Sequence, residues 1–330
     1  MGDSGEHHPY QENHSADKDS GFRDSAGQQA YLHGGAGQGG GDDKQKTRLE
    51  DGFVLLDEEQ IARTVLTPAQ LAAGCGLLAA FIAAFWFYPT AAILTASIIF
   101  SVFYIAVAVF RAVVLAGIDR IDAEVWGGGN GFSDSSLPMG DYVILVPLNR
   151  EAGQVRDLVS SLEQLRWRAG RKHIYLLLEH DDVETTIAVI AELPRPGFHL
   201  LIVPPGMPRT KPRALNYALR QVEGDYLVIY DAEDRPHPLQ LVEAATVFMR
   251  SGPDLACLQA PLVVDNRQAS WLARLYAMEY DTLFCGMLPT LARWRAPIPL
   301  GGTSNHFVFR KLLEAGGWDS FNVTEDADLG

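Results

Sequence analysis

Two long uncharged stretches near the N-terminus constrain the fold of this chain more than any other feature. The first covers residues 71–88, and the second covers residues 91–110 after Pro89 and Thr90. Each has roughly the 20 residues that a helix needs to cross the hydrocarbon core of a bilayer. Both lie too far from the N-terminus to be a secretory signal. A buried helical hairpin of a soluble protein is the alternative, but the lengths favour a transmembrane hairpin over residues 71–118.

Basic residues flank the two stretches, and the turn between them has none. They are Lys44, Lys46, Arg48 and Arg63 before the pair, and Arg111 and Arg120 after it. Because positive charge is retained on the cytoplasmic side, both ends of the hairpin are expected there. The aromatic run 86–88 falls at the far interface, where amphipathic rings are favoured. We therefore expect a multi-pass membrane protein whose chain after residue 118 is cytoplasmic.

The rest of the chain divides by composition. Residues 1–50 are rich in Gly, His, Asp, Ser and Gln and cannot bury enough apolar surface to fold, so we predict a disordered polar tail. Residues 51–70 form a short segment before the membrane. Residues 119–140 contain a run rich in Gly and Ser and are interpreted as a linker. A catalytic domain is expected from residue 141 to residue 330.

Charge and cysteine content exclude several classes of site. The formal net charge of −14 argues against a nucleic-acid partner, because binding to phosphate backbones requires a concentrated basic face. Cys75, Cys257 and Cys285 lie far apart without a Cys-x-x-Cys pair. Neither a zinc site nor a disulfide framework is indicated, which fits a reducing compartment.

After residue 140 the pattern alternates between short apolar runs and amphipathic helical segments. This alternation predicts an α/β fold with a mostly parallel sheet covered by helices. In such sheets ligands bind beyond the carboxyl ends of the strands. The predicted strands cover 141–147, 173–178, 199–203, 225–230 and 255–260, and the first predicted helices cover 154–165 and 184–193.

Polar residues follow the first two predicted strands. Asn149 and Glu151 come after the first strand, and Asp181 and Asp182 come after the second. Carboxylates in these places can accept hydrogen bonds from a nucleobase or a ribose. Asp is also a favoured N-cap residue, so either aspartate can instead cap the helix that follows. We favour capping for Asp182 and ligand contact for Asp181.

Two charged motifs follow at the third and fourth strands. A Pro- and Gly-rich loop leads into a helix that begins with Lys211, and cations at a helix N-terminus favour an anion such as a diphosphate. The strand 225–230 then ends in Asp231, Glu233 and Asp234. These carboxylates repel one another unless they share a cation, and hard oxygen ligands suit Mg²⁺ or Mn²⁺. A solvated lysine and a solvated acidic turn are the alternatives.

Three features lie farther along the chain. Residues 270–284 form a helix with an apolar stripe, for which the membrane surface and the protein core are both possible and the core is expected. Residues 301–306 offer backbone amides and short hydroxyls that suit close approach of a ligand, and Thr303 is assigned there together with Gln259. Glu325, Asp326 and Asp328 supply carboxylates, one of which can act as a general base.

Taken in order, these motifs resemble the family 2 inverting glycosyltransferases, particularly the cellulose-synthase-like bacterial polysaccharide synthases. The resemblance covers residues 141–330 and rests on a strand that ends in Val146-Pro147 with Glu151, on Asp181-Asp182, on Lys211 to Asn216, on Asp231-Ala-Glu233 and on Thr324-Glu325-Asp326. Glu233 stands where the family usually has Asp, so the second metal ligand is left open between Glu233 and Asp234. The family's downstream Gln-x-x-Arg-Trp motif and further membrane helices are absent before residue 330, so the C-terminal part of the domain is expected to be missing.

The resemblance implies a GT-A fold and transfer of a sugar with inversion from a uridine-diphosphate sugar. Glucose is expected as the sugar, and N-acetylglucosamine and mannose fit the same motifs. The acceptor would be a growing polysaccharide or a lipid-linked hydroxyl at a bacterial inner membrane. It implies that Pro147, Glu151, Asp181, Lys211 and Asp231 bind the nucleotide sugar, that Asp231 with Glu233 or Asp234 binds Mg²⁺ or Mn²⁺, and that Asp326 is the base. Glu325, Thr303 and Gln259 are assigned to the acceptor side.

Two other readings remain open. A sugar nucleotidyltransferase also uses a parallel sheet and a magnesium motif, but it would normally have a Gly-rich phosphate loop where this chain has Asn149-Arg150-Glu151. A membrane-anchored fragment that binds nucleotide sugar without turnover is the second alternative. Release of nucleotide diphosphate with extension of an acceptor separates an active transferase from such a fragment.

Overall fold

The computed structural model describes residues 49–50, 53–54, 61–62, 66–117, 139–168, 170–322 and 324–329. The two short strands β1 (Leu49–Glu50) and β2 (Phe53–Val54) pair in antiparallel fashion. The predicted tail over 1–50 and the predicted linker over 119–140 fall almost entirely outside the described residues. Part of the 51–70 segment does so too.

Two consecutive helices contain the uncharged stretches. Helix α1 (Pro68–Phe87) begins at a capping box in which the Thr67 Oγ accepts from the Gln70 N–H at 3.2 Å and the Gln70 side chain accepts from the Thr67 N–H at 2.8 Å. Helix α2 (Pro89–Ala116) follows after Tyr88 and also has proline at its first turn, where no N–H is required. Their mean hydropathies are 1.8 and 2.5, so both are long and apolar enough to cross a membrane by length and composition.

A six-stranded mixed sheet forms the centre of the remaining chain. Its order is β5-β4-β3-β6-β8-β7. Strands β3 to β6 run parallel to one another, and β8 is antiparallel to both β6 and β7. The strands are β3 (Tyr142–Leu148), β4 (Lys172–Glu179), β5 (Phe198–Val203), β6 (Tyr226–Ile229), β7 (Cys257–Gln259) and β8 (Asn305–Val308).

Helices cover both faces of this sheet, which explains why its central strands are continuously apolar. Side chains of α3, α4 and α6 pack with alternate residues of β3 on one face, and those of α5 and α9 pack on the other. The helices are α3 (Val155–Glu163), α4 (Val183–Glu192), α5 (Lys211–Leu219), α6 (Gln240–Arg250), α7 (Trp271–Thr282), α8 (Leu288–Arg293), α9 (Phe309–Glu314) and α10 (Glu325–Leu329); a π-helical turn (Leu283–Met287) joins α7 to α8.

The predicted α/β class with a mostly parallel sheet is confirmed, but strand β8 was not anticipated. Its residues Asn305 and His306 were assigned to a ligand-binding loop, yet His306 is fully buried and its Nδ1 lies 2.6 Å from the Tyr142 hydroxyl. Burial lowers the pKa of His306 to about 3, so the ring is neutral. The hydrogen bond fixes β8 beside the centre of the sheet and places the loop before it at the carboxyl end of β6.

Candidate functional site

A cleft of about 890 Å³ opens at the carboxyl ends of β3, β4 and β6. This is where parallel sheets of the α/β class bind ligands. Its walls carry an excess of carboxylates over cations, which places negative charge around a small number of basic groups. The lining includes the predicted site residues Pro147, Glu151, Asp181, Lys211, Asp231 and Glu233.

The loop after β3 is held to the N-terminus of α4. The Asp182 carboxylate accepts hydrogen bonds from the Arg150 N–H at 2.6 Å and from the Thr185 N–H at 3.2 Å, so Asp182 caps α4 as predicted. The Glu151 N–H donates to the Thr185 hydroxyl at 3.0 Å. Burial raises the pKa of Glu151, and the nearby carboxylates of Glu233 and Asp231 add to the effect. Glu151 therefore faces the acidic side of the cleft.

Two acidic residues at the end of β4 occupy different environments. Asp181 lies at the rim with its side chain half exposed and accepts a hydrogen bond from Arg209, which lowers its pKa. Glu179 lies deeper, and its side chain is 13% exposed. Its Oε1 is 3.6 Å from Arg213, whereas its buried Oε2 has no hydrogen-bond partner among the described residues. A buried carboxylate oxygen without a hydrogen-bond partner on the wall of a cleft is expected to accept a hydrogen bond from a ligand or a water molecule.

Sequence reasoning missed Glu179 because it stands inside the strand, two residues before the aspartate pair. The sequence does offer a signal for Glu179, because it follows the apolar run of β4. Burying a carboxylate at the end of such a run costs free energy unless another group pairs with it.

Lys211 lies at the centre of the charged groups. Its Nζ is 2.7 Å from Asp231 Oδ1 and 4.0 Å from Asp326 Oδ2, and it also donates to the Gly302 carbonyl. Burial alone would lower the pKa of Lys211, but the Asp231 carboxylate and its hydrogen bond raise it overall. The ammonium is therefore charged and joins the motif after β6 to the residues of α10.

The three carboxylates after β6 separate into two roles. Asp234 Oδ2 accepts from the Asp231 N–H at 2.7 Å and from the Thr303 hydroxyl, and burial raises the pKa of Asp234. Glu233 is exposed and lines the cleft. Asp231 and Glu233 thus present oxygens to the cleft, while Asp234 holds the turn and the neighbouring loop together.

The loop before β8 closes the site from the other side. The Gln259 side chain accepts from the Gly301 N–H at 2.6 Å and donates to the Thr303 carbonyl at 3.0 Å, so both ends of its amide hold loop backbone. Thr303 is buried and bonded to Asp234. A side chain at Gly302 would meet Asp326 Oδ2 at 3.7 Å, which places the Gly302 backbone directly beside that carboxylate.

Asp326 and Glu325 lie at the start of α10, and both are buried, at 4% and 6% exposure. Burial raises the pKa of Asp326 to about 7, although the Lys211 ammonium acts in the opposite direction. Asn305 Nδ2 lies 3.4 Å from Asp326 Oδ1. A carboxyl with a pKa near neutrality can accept a proton during a reaction at neutral pH.

The donor set fits a divalent cation that completes its shell with ligand oxygens. Asp231 and Glu233 supply carboxylate oxygens, the ligands that Mg²⁺ and Mn²⁺ prefer. Within the described residues no three acidic, His or Cys side chains converge as a complete metal site. A nucleotide diphosphate can supply the missing oxygens, because Mg²⁺ in such sites is commonly held by one or two carboxylates plus phosphates.

The structure therefore brings most of the predicted site residues to one place. The cleft or its edge is surrounded by Pro147, Glu151, Asp181, Lys211 and the three carboxylates after β6. Glu325 and Asp326 lie next to Lys211, which connects them to the cleft. Gln259 and Thr303 lie behind the cleft, where they support the loop over residues 301–303.

Comparisons of the sequence with a family model and with curated proteins match the same class of enzyme. A family model described as glycosyltransferase-like family 2 matches residues 140–330. The chain is 25% identical over 205 residues to a beta-monoglucosyldiacylglycerol synthase of Synechocystis sp., covering 59% of this chain and 40% of that protein. It is 29% identical over 105 residues to glucomannan 4-beta-mannosyltransferase 2 of Arabidopsis thaliana, covering 32% of this chain and 20% of that protein.

Among solved structures, one similar chain is a mannosyltransferase from Pyrobaculum calidifontis in complex with GDP-Man and Mn²⁺. It has a TM-score of 0.44 and 18% sequence identity, and the match covers 66% of this chain and 61% of that one. The chain spans 40% or less of the length of the two curated relatives named above.

Proposed function

The chain belongs to the glycosyltransferase-like family 2, whose model matches residues 140–330. On this basis we propose that these residues form a GT-A catalytic domain that transfers a sugar with inversion from a uridine-diphosphate sugar to a hydroxyl acceptor. One observation carries the proposal. Lys211 joins Asp231, at the end of β6, to the buried Asp326, whose carboxyl has a pKa near 7. A cation for the diphosphate and a base for the acceptor thus lie side by side.

The nucleoside part of the donor would lie over the end of β4. Pro147 and Glu151 form one wall, and Asp181 and Glu179 form the other. The bare Oε2 of Glu179 is free to accept a hydrogen bond from the base or ribose. Asp181 is at the rim with Arg209, where the pair can close over the nucleoside.

The diphosphate would lie against Lys211 at the N-terminus of α5, where the backbone amides and the ammonium both favour an anion. Asp231 and Glu233 would hold Mg²⁺ or Mn²⁺, which supplies positive charge for the leaving diphosphate when bound. Lys211 contributes its own charge at the same place. Because these charges are in position before reaction, they stabilise the transition state more than the ground state.

Asp326 would take the proton of the acceptor hydroxyl as that oxygen attacks the anomeric carbon. A sugar hydroxyl is a poor nucleophile at neutral pH, and a positioned base typically contributes about 10²–10⁴-fold. The new glycosidic bond forms on the face opposite the bond to the diphosphate, which breaks with its electron pair going to the phosphate oxygen. One displacement of this kind inverts the configuration.

Glu325, Thr303 and Gln259 are assigned to the acceptor side. Glu325 is buried beside Asp326, and burial raises its pKa. Gln259 and Thr303 act through the loop that they support, so their contribution would be to keep the Gly302 backbone next to Asp326. The acceptor is proposed to be a growing polysaccharide or a lipid-linked hydroxyl.

Helices α1 and α2 are proposed to anchor the catalytic domain at the cytoplasmic face of a bacterial inner membrane. Support comes from their length and apolar composition and from the basic residues on both sides of the pair. Nucleotide sugars are supplied on that side. Glucose is the proposed sugar.

A donor panel tests the proposed activity. The chain in detergent or nanodiscs is incubated with Mn²⁺, with a hydroxyl acceptor and separately with the uridine-diphosphate derivatives of glucose, N-acetylglucosamine and mannose. We expect UDP release that depends on Mn²⁺ and on acceptor, with glucose the best donor and a product of β configuration from an α-linked donor. Binding without UDP release would indicate a fragment without turnover, and an α-linked product would contradict inversion.

A further inference from the structure

Helix α7 exposes large apolar side chains to solvent. Of its twelve residues, all of them described, Ala277 alone is buried. The exposed fractions are 75% for Trp271, 59% for Leu272, 54% for Leu275, 49% for Tyr276 and 64% for Met278. These five residues are called the α7 surface below. The expectation that this stripe packs in the core is therefore wrong, because the body of the domain covers the helix only along the side of Ala277.

The α7 surface belongs to a helical segment that is attached to the end of α2. The segment continues through the π-helical turn into α8, and α2 packs against both. Arg293 Nη1 donates to the Gly117 carbonyl at 3.0 Å, directly after α2 ends. A side chain at Gly117 would meet Thr290 at 3.0 Å and Trp294 at 3.2 Å. Backbone and side chains are thus in close contact at the C-terminal end of α2, a few residues after its uncharged stretch ends.

We propose that the α7 surface lies in the headgroup region of the bilayer that α1 and α2 cross. The proposal rests on the membrane anchoring proposed above. If α2 crosses the bilayer, the hydrocarbon ends near Arg111, and Gly117 lies about 10 Å beyond it at the helical rise of 1.5 Å per residue, which is the depth of the headgroups. Helix α8, which is bonded to Gly117, lies at the same level and leads back to α7. Trp and Tyr, which have an apolar body and a polar tip, are favoured at that depth.

A lipid surface fits the chemistry of the patch. The side chains are apolar, as is the exposed surface of α1 and α2, whose membrane-length windows are 0% and 6% buried. The exposed Arg274 lies beside the patch, where anionic headgroups attract cations. Arg267 is paired with Asp281 at 3.3 Å, and the exposed Glu279 is the acidic residue of the same helix that remains in water or among the headgroups. Helices of this kind lie in the interface with their apolar face buried among the acyl chains.

The same segment also reaches the candidate active site. Phe284, in the π-helical turn, packs on the loop before β8, because a side chain at Gly301 would meet its ring at 3.1 Å. That loop continues into Gly302, which lies beside Asp326 and Lys211. A membrane contact at α7 would therefore hold the acceptor side of the cleft close to the leaflet, where an amphiphilic or membrane-emerging acceptor is located.

Three single-cysteine labels on the full chain test the proposal. The background carries Cys75→Ser, Cys257→Ala and Cys285→Ser, and the labelled variants are Leu272→Cys, Ile82→Cys and Ile187→Cys. The three positions have matched exposures of 59%, 58% and 63%. Ile82 lies in α1 and reports anchoring, whereas Ile187 lies on α4, which packs on β4 toward the other edge of the sheet.

Each variant carries an environment-sensitive fluorophore and is reconstituted in vesicles of phosphatidylcholine and phosphatidylglycerol with nitroxide-labelled lipid. We expect blue-shifted emission and quenching at positions 82 and 272 and neither at position 187. Quenching at 82 with a water-like signal at 272 would overturn the α7 contact and leave the anchoring intact. A water-like signal at 82 would overturn both. Neither outcome depends on transferase activity, so failure of the proposed reaction is scored separately by the donor panel.

Discussion

The surroundings of Asp326 shift its pKa toward the range that its proposed role as a base requires. The carboxyl is buried, and burial raises its pKa to about 7 even though Lys211 lies 4.0 Å away. An acid whose pKa is raised in the folded state retains its proton while the unfolded chain releases one. The carboxyl therefore lowers stability as pH rises from 3.8 toward 7, and the full penalty is present above pH 7.

Replacing Asp326 by Asn removes this penalty. In metal-free buffer at pH 8 we expect Asp326→Asn to raise the free energy of unfolding by a few kcal/mol, since each pKa unit corresponds to about 1.4 kcal/mol. Near pH 4 the gain should shrink toward zero. Thermal unfolding at both pH values measures the difference. Equal melting temperatures of the two proteins at pH 8 would mean that the carboxyl carries no such penalty.

Glu233 and Asp234 are adjacent, yet their surroundings predict opposite phenotypes. Glu233 is exposed in the cleft, so Glu233→Ala should leave stability almost unchanged and raise the Mn²⁺ concentration for half-maximal activity by about tenfold or more. Asp234 bonds to the Asp231 N–H and to Thr303, so Asp234→Ala should cost about 1–3 kcal/mol of stability. Unfolding curves and Mn²⁺ titrations of both variants show which of the two carboxylates binds the metal. Reversed phenotypes would make Asp234 the metal ligand.

Helix α5 connects the proposed diphosphate-binding end of the cleft to the proposed base. Lys211 begins the helix, and Asn216 holds the buried backbone of Trp318 in the segment that leads to α10. The Asn216 amide accepts from the Trp318 N–H at 3.0 Å and donates to the Trp318 carbonyl at 2.6 Å. Thr210, before the helix, donates to the Ser320 carbonyl at 2.7 Å. Helix α5 therefore contributes to the position of Asp326 relative to Lys211, together with Asn305 and the Gly302 backbone, which also lie beside Asp326.

Asn216→Ala tests that contribution. The change leaves buried backbone groups without partners, at a cost of about 1–3 kcal/mol each. We expect lower stability and a lower kcat with little change in the donor KM, because the base is displaced while the nucleotide wall stays in place. Gln221→Ala is the control, since Gln221 is exposed and makes one long hydrogen bond to Tyr217 O at 3.4 Å. An Asn216 variant with the parent kcat would show that Asp326 is positioned by other contacts.

Local pattern was sufficient to predict much of the element order and of the site. Asp231 and Glu233 follow a strand directly, so their place in the cleft followed from the rule for strand ends. Lys211 was recognised at a helix N-terminus, and Asp326 was assigned as the base through the family resemblance. Strand β8 and the α7 surface could not be found in this way. Strand β8 depends on a partner far away in the sequence, because His306 bonds to Tyr142. The exposure of α7 depends on how the other described elements are arranged, because none of them covers its apolar side chains.

At the scale of the whole molecule, a bound ligand should increase the stability of the folded protein. A ligand that binds only the folded state raises the free energy of unfolding by about 2.7 kcal/mol at 100 times its Kd. We expect UDP with Mn²⁺ to raise the melting temperature of the parent and of Asp254→Asn, an exposed control. Asp231→Asn should lose most of the shift. An equal shift in all three proteins would place the nucleotide elsewhere.

The most direct test is the transfer rate of Asp326→Asn beside that of Asp328→Asn, an exposed carboxylate on the same helix. Steady-state kcat/KM for the acceptor is measured at saturating donor and Mn²⁺, with UDP affinity measured in parallel. We expect Asp326→Asn to lose about 10²–10⁴-fold in transfer while UDP binds as in the parent, and Asp328→Asn to retain parent activity. An Asp326→Asn protein that extends acceptor at near the parent rate would contradict the assignment of the base.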